Sequence, residues 1–378
     1  MLRKLSACSL TGALMASSAV AGGLDRTGQP IGVIFQDGNY LEFSASRTAP
    51  DLTGTDLITS ADIDNAGNGF NSVGGAIKYD LAPNFSLSVI AEEPFGSDIE
   101  YNGSPFTSAL GGTSAFADTF SLTAIGRYKF NDNFSVHAGL RQQTIEGNIT
   151  LSGLAYGGLS GYNVDLGADS AFGYVIGAAY EMPEIALRVA VTYNSAVDHE
   201  LQTAETVFGT PVAPTSVTEI SSPESINVDF QTGIAEGTLL FGNVRYVKWS
   251  DLIISPAFFD GAVDPGESGS SISQLDDSTG VTLGIARQLT QNFSGSVALG
   301  WESEGADSLV SPLSPVNGQT SIALGGRYDV GNGVNISGGV RYTMLGDALP
   351  ETGTPDTARA DFSDNDAVTV GFRVGVSF

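Results

Sequence analysis

Two histidines, His137 and His199, are the only side chains whose ordinary pKa would let them act as general bases near neutral pH. A hydrolytic site would set one of them beside a hydroxyl nucleophile and an acid. His137 shares a face with Ser135 and Arg141, but no Ser-His-acid spacing falls on one strand. No catalytic residue is assigned, and the chain reads as a non-enzyme. The acids are the second candidate chemistry: 42 Asp and Glu stand against 16 Lys and Arg, a formal charge of −26. They gather between apolar runs, at Asp51, Asp56, Asp62 and Asp64, at Asp260, Asp264, Glu267, Asp276 and Asp277, and at Asp347, Glu351, Asp356, Asp361, Asp364 and Asp366. The plain reading is solvated loops; the sharper one is divalent-cation bridging to anionic lipid head groups. Asp62 to Gly67 opens like a calcium loop, but Ala66 replaces a ligand and no Glu closes it, so no metal or cofactor is expected. Nucleic acid is excluded as a partner, because its backbone needs cations. The third group is the cations inside alternating apolar segments: Lys78, Arg127, Arg141, Arg188, Arg327, Arg341 and Arg373.

The elements that carry those cations are strands. In Ala367 to Phe378, the residues Val368, Val370, Phe372, Val374, Val376 and Phe378 alternate with Thr369, Gly371, Arg373, Gly375 and Ser377. A soluble sheet buries its apolar face; a membrane barrel turns that face out to lipid and the polar face to a lumen. The same period of two recurs. Phe120, Leu122, Ala124, Tyr128 and Phe130 oppose Ser121, Thr123, Arg127 and Lys129; Val334, Ile336, Val340, Tyr342 and Met344 oppose Asn335, Ser337, Arg341 and Thr343. A charge at the lipid midplane costs about 2–4 kcal/mol, so the strand cations are assigned to the lumen.

A hairpin unit repeats along the chain: Tyr or a neighbour, a short polar turn, then Asn-Phe-Ser. It occurs at Asn84-Phe85-Ser86, Asn133-Phe134-Ser135 and Asn292-Phe293-Ser294, with further turns after Tyr180 and Tyr328. Aromatics at one height across several hairpins are what a membrane interface selects. The other strand ends are joined by long segments near 51–70, 94–118, 147–169, 198–222, 250–277, 303–318 and 346–366. Short turns on one side and long loops on the other define about fourteen antiparallel strands, with both ends on the periplasmic side. The expected fold is an all-β transmembrane barrel over residues 39–378 in the bacterial outer membrane.

Residues 1–21 read as a signal peptide: Arg3 and Lys4, an apolar core from Leu5 to Val20, and Ala19-Val20-Ala21. Cys8, the single cysteine, falls inside it, so disulfides are not expected. A barrel of this size leaves a lumen too wide for side chains to fill. Residues 22–38 contain Ile31, Val33, Ile34 and Phe35, an apolar run that needs burial, and are expected to form a plug in the lumen.

Four stretches then carry a resemblance. Ala21-Gly22 at the mature start, Pro94-Phe95-Gly96 closing the third strand, Tyr193-Asn194-Ser195-Ala196-Val197-Asp198-His199, and Tyr246-Val247-Lys248-Trp249-Ser250 are similar, in this order, to elements of the FadL/TodX family of outer-membrane transporters. The resemblance implies passive uptake of hydrophobic small molecules such as long-chain fatty acids. They would be captured among the outer loops, pass to a lumen pocket and leave sideways near the third strand. The apolar run and the lumen-facing cations offer Ile31, Val33, Phe35, Arg127, Arg141, Arg188 and Arg341 as ligand-binding, and the resemblance points to Pro94, Phe95 and Gly96 as a lateral opening. Expected partners are the hydrophobic ligand, outer-membrane lipid and lipopolysaccharide, and the barrel-assembly machinery, with the chain a monomer. A hydrophilic porin is the alternative, which the apolar run at Ile31 to Phe35 opposes; an adhesin or purely structural barrel gives no account of that run.

Overall fold

The computed structural model describes residues 24–263, 269–353 and 355–378. The expected leader lies outside these residues. Fourteen strands close into one antiparallel barrel. They are β1 (Tyr40–Asp51), β2 (Phe70–Ala82), β3 (Phe85–Glu92 and Gly96–Glu100), β4 (Ser114–Lys129), β5 (Phe134–Leu151), β6 (Tyr162–Met182) and β7 (Leu187–Asn194 and Val197–Val207). They continue with β8 (Ser216–Ser222 and Ser225–Ala235), β9 (Thr238–Val247), β10 (Ser278–Gln288), β11 (Phe293–Glu302), β12 (Gln319–Gly331), β13 (Val334–Leu345) and β14 (Asp366–Ser377). β1 pairs with β14 from Tyr40–Ser377 to Asp51–Asp366, so the sheet has no free edge.

The faces follow the alternation. On β4, Phe120, Leu122 and Tyr128 are exposed, while Ser121, Thr123 and Arg127 are buried. On β13, Ile336, Val340, Tyr342 and Met344 face out, and Asn335, Ser337, Arg341 and Thr343 face in. At the short-turn end the aromatics meet across strands: Phe85 opposes Tyr128, Phe134 opposes Tyr180 and Phe293 opposes Tyr328. A second level of Tyr193, Tyr246 and Tyr342 donates its hydroxyls to Glu224, Asp277 and Asp366. From Phe293 to Trp301, at about 3.3 Å per residue and a tilt near 40°, the wall rises roughly 20 Å between the two levels.

Beyond the second level the polarity reverses. Ile149, Leu151, Tyr162, Val164, Leu166, Leu201 and Ile220 are buried inward, while Asp165, Glu200, Gln202 and Glu219 face outward. A register shift between β5 and β6 above Ile145 and breaks in β7 and β8 set this new phase. The segments expected as long loops at 94–118, 147–169 and 198–222 are therefore largely strand; only residues 101–113, 152–161 and 208–215 leave the main wall. Their polar outer face, read against a lipid template, looks like loop; water rather than lipid surrounds them.

Three outer connections meet at the mouth. Residues 311–319 between β11 and β12 fold inward and are buried, with Tyr101 donating to the Pro312 carbonyl at 2.7 Å. Asp56 joins the β1–β2 and β3–β4 connections: its carboxylate accepts the N–H groups of Ala109, Ile58 and Thr59 and the Ser108 hydroxyl, at 2.6 to 3.0 Å. Burial raises the Asp56 pKa, but these four donors outweigh it and hold the carboxyl below its ordinary value. Its stabilisation is therefore complete above the unfolded carboxyl pKa, about 3.9, and is lost as pH falls through the lower folded value. Amide exchange at Ala109 is expected to accelerate on acidification below that range. Asp56→Asn, which weakens the cluster by about 1–3 kcal/mol, should remove most of this pH dependence; unchanged exchange in both cases would refute the assignment.

Candidate functional site

The segment from Leu24 to Asp37 sits on the inner face of the wall. Gly32–Phe35 makes one 3-10 turn that buries Val33, Ile34 and Phe35, with Ile31 beside them, against Ala76, Ile90, Ile125, Val175 and Ala190. Each such burial contributes about 1.5–3 kcal/mol, while ordering each residue costs about 1–2 kcal/mol. Four buried apolar side chains do not by themselves offset the ordering of fourteen residues, so polar anchors decide whether the plug stays seated. Arg245 on β9 is the central anchor. Its Nε donates to Asp25 Oδ2 at 2.6 Å, and its other nitrogens reach Gln29 Oε1, Ser225 Oγ and Asn227 Oδ1. Arg245 and Asp25 are 3% and 0% exposed, a fully desolvated pair. Asn227 Nδ2 donates to the Gly28 carbonyl at 3.0 Å, and Thr27 Oγ1 to Glu92 at 2.7 Å. At the far end of the segment, Arg127 and Arg188 both stack on the Phe35 ring at 4.4 Å, and Arg127 pairs with Glu181.

The wall is interrupted where the plug begins. Glu92 opposes Ser121 and Gly96 opposes Asp118, so Glu93, Pro94 and Phe95 face only Thr119 and Phe120. Pro94 has no N–H to give to a ladder, which suits an extra, unpaired residue. Thr119 bridges the break toward β4: its hydroxyl donates to the Phe95 carbonyl at 2.7 Å and accepts the Phe95 N–H at 2.9 Å. Toward β2, pairing stops at Gly75–Ala91 and resumes at the bridge between Gly67 and Ile99. The plug supplies the missing partner from inside. Arg26 N–H donates to the Pro94 carbonyl and Gly96 N–H to the Leu24 carbonyl, both at 2.9 Å.

Arg26 occupies the gap. Its guanidinium lies 4.6 Å from the Phe70 ring centroid and pairs with Asp118 at 2.9 Å. Asp118 alternates with the exposed Phe116 and Phe120 on the lipid-side face of β4. The side chain thus threads from plug to outer wall. A Cβ on Gly96 would stand 2.2 Å from Arg26 Cζ, so glycine is needed there for this close approach.

Three cavities surround these parts. One of about 220 Å³ lies between the plug and the β1–β3 and β8–β9 walls; Ile31, Val33, Phe35, Arg188, Leu239 and Phe241 line it. A smaller one of about 60 Å³ sits behind Gly96, against Leu313, Val316, Pro50 and Arg341. A third, of about 350 Å³, lies among the outer connections between Trp249 and residues 302–318. The residues that sequence alone picked for ligand contact therefore divide. Ile31, Val33, Phe35 and Arg188 share one cavity, with Arg127 against the same Phe35 ring. Arg341 belongs to another cavity. Arg141 is buried, donating to Thr123 Oγ1 and Asn194 Oδ1, and lines none of the three. Pro94, Phe95 and Gly96 sit together at the interruption. Asp25, Arg26, Glu92 and Arg245 were not singled out. Arg245 alternates in phase with Asn243 on β9, which marks it as inward-facing; nothing local marks its partner 220 residues away.

A closed antiparallel barrel with a greasy outer wall, two aromatic levels and an occluded lumen defines an outer-membrane protein of the channel class. Residues 75–373 match the family described as outer membrane protein transport protein (OMPP1/FadL/TodX), and the chain belongs to that family. Among solved structures it is similar to a FadL homologue of Pseudomonas aeruginosa, at a TM-score of 0.72 and 13% identity over 96% of this chain and 97% of that one. The Pseudomonas putida toluene transporter TodX superposes at 0.65 with 12% identity, covering 96% of this chain and 95% of its own. The Ralstonia pickettii toluene transporter TbuX gives 0.63 with 14% identity, covering 97% and 94%. A search of curated proteins found no match.

Proposed function

We propose that this chain is a monomeric, energy-independent channel that admits hydrophobic small molecules, aromatic hydrocarbons or long-chain fatty acids, and delivers them sideways into the membrane. The observation that carries the reading is the break at Pro94-Phe95-Gly96, where the plug and Arg26 stand in for missing wall. An apolar solute gains nothing from a water-filled exit into the periplasm, whereas a lateral gap hands it directly to lipid. Arg26 and Asp118 lie about 25 Å above the periplasmic turns, ten residues along β4 from Tyr128, at the level of the outer interface. The apolar cavity beside the plug, lined by Ile31, Val33, Phe35, Leu239 and Phe241, serves as the internal binding site, with Arg188 at its polar end. Assembly by the barrel-assembly machinery and contact with lipopolysaccharide follow from the location; no catalytic step and no cofactor enter the scheme. The leader at residues 1–21 and the plug-barrel boundary near residue 38 belong to the same proposal.

Family kinship supports the class of solute, and the similar TodX and TbuX structures are of toluene transporters. The test is uptake of labelled toluene and labelled long-chain fatty acid by cells with and without the protein. Faster entry of at least one is expected only where the channel is present. Equal entry of both, with free passage of sugars in liposome swelling, would establish the hydrophilic porin instead.

A further inference from the structure

Two strand cations depart from the rule that keeps the others in the lumen. Among the described strand residues, only Arg47 and Arg287 fall on the lipid-side phase of the alternation, in step with Phe43 on β1 and Ile285 on β10. Arg287 lies one residue from the short-turn end of β10. Arg47 lies near the opposite interface, where it opposes Val370 on β14 and Asn71 on β2. Ala49, two residues further out, opposes Val368, which opposes Tyr342 of the second aromatic level. Arg47 is thus rooted roughly 5 Å beneath that level. Its side chain reaches outward. Nη1 donates to Asn71 Oδ1 at 3.2 Å, and Nη2 would stand 3.2 Å from a Cβ placed on Gly69, two residues further out on the same chain as Asn71. A long cation lifts its head toward the polar layer in this way. Arg26, Arg127, Arg245 and Arg373 each pair with an acid, whereas no carboxylate among the described residues stands within ion-pair distance of Arg47. That is an exception in a chain of net charge −26. Beneath the guanidinium the wall is apolar: the rings of Phe43 and Phe372 meet at 6.3 Å, with Val370 and Val374 in the same column.

We propose that Arg47 binds the phosphate of an outer-leaflet lipid, lipid A, and so seats one lipid molecule on the outer wall beside the interruption. The argument joins charge, height and surface. A guanidinium has five donors in a planar fork that fits phosphate, and Asn71 answers one of them. The guanidinium is exposed at the level where lipid headgroups lie. A lipid phosphate places acyl chains directly below it, on Phe43, Val370 and Phe372. A free phosphate answers the guanidinium but gains nothing from that wall, and a neutral headgroup leaves the charge without a counterion. The position gives the lipid a role. β2 carries this site along its β1 side and the interruption along its β3 side, and Phe70, the neighbour of Asn71, holds the Arg26 guanidinium 4.6 Å from its ring centroid. The seated lipid therefore borders the outer approach to the break.

The inference goes beyond the channel reading and needs only the outer-membrane location. Its test is titration of the full-length protein in lauryldimethylamine oxide micelles with lipid A and with dephosphorylated lipid A, read as bound lipid by native mass spectrometry. Lipid A is expected to bind at least about tenfold more tightly than its dephosphorylated form. Arg47→Gln should remove that preference and leave the dephosphorylated lipid unchanged. Should that variant not fold, Asn71→Ala, which frees the guanidinium from its one orienting contact, should weaken lipid A about two- to fivefold. Arg287→Gln, at the other end of the wall, should change nothing. Equal binding of the two lipids, full retention in the Arg47 and Asn71 variants, or an equal loss in the Arg287 variant would overturn the proposal. Complete competition by inorganic phosphate would overturn it too, by showing a site for free anions. Toluene uptake separates the two claims: lipid retention without uptake strikes the channel reading alone, and uptake without lipid A preference strikes this site alone.

Discussion

Deletion of Pro94 is expected to bring uptake of hydrophobic solutes down to the level of cells lacking the protein, with the barrel still folded. Three residues of β3 now face two of β4 between the pairs Glu92–Ser121 and Gly96–Asp118. Removing one restores a one-to-one register with β4 and lets Phe95 pair directly there, taking away the extra residue that interrupts the wall on that side. The deletion also takes away a residue that cannot donate to the ladder, so the β3–β4 pairing gains bonds while the bond from Arg26 N–H to the Pro94 carbonyl is lost. Stability, read as the temperature at which the heat-modifiable band shifts on a gel, should stay level or rise while transport vanishes. Arg26→Ala is the opposing arm. It leaves the break but removes the guanidinium between Phe70 and Asp118, so entry of a hydrophobic dye should quicken. A Pro94 deletion that folds and still transports would show that solute leaves elsewhere.

Arg245→Met is expected to unseat the plug and turn a closed barrel into an ion-conducting one. The substitution leaves Asp25, 0% exposed, without its guanidinium, and strips contacts from Gln29, Ser225 and Asn227. Breaking one side of such a buried pair costs about 3–5 kcal/mol. The segment's apolar burial alone does not offset its ordering entropy, so it cannot absorb that loss. Planar-bilayer recordings in KCl should show long openings absent from the parent protein, and sugars should enter in swelling assays. The double variant Asp25→Asn with Arg245→Met removes both charges and should return the channel toward the closed state. A single variant as silent as the parent would place the seal elsewhere, in the inward-folded residues 311–319.

The strand count, the face of each strand and the short-turn aromatic level were legible because lipid imposes a period of two that a single chain displays directly. The element Pro94-Phe95-Gly96 was legible for a different reason: proline inside a strand pattern is itself an anomaly. What escaped was whatever depends on the far side of the barrel. Asp25 meets Arg245, and Arg26 meets Asp118, only because closure brings β3, β4 and β9 around the same segment. Arg127 and Arg188 were found as inward cations, but their shared contact with Phe35 needed coordinates. Residues 311–319 read as one more outer loop; their descent into the mouth is driven by packing of Leu313 and Val316 against groups from distant strands. The upper halves of β5 to β8 read as loops in the sequence because a template with grease outside and polar groups inside gives no match where both conditions reverse.

That reversal acts as a flange. Were the barrel to sink toward the periplasm by a few residues, Asp165, Glu200 and Glu219 would enter hydrocarbon, each at a penalty that grows with depth. Were it to rise, the phenylalanines of the short-turn rim would leave the bilayer for water. Vertical position is thereby pinned from both directions, and with it the height of the interruption beside Arg26.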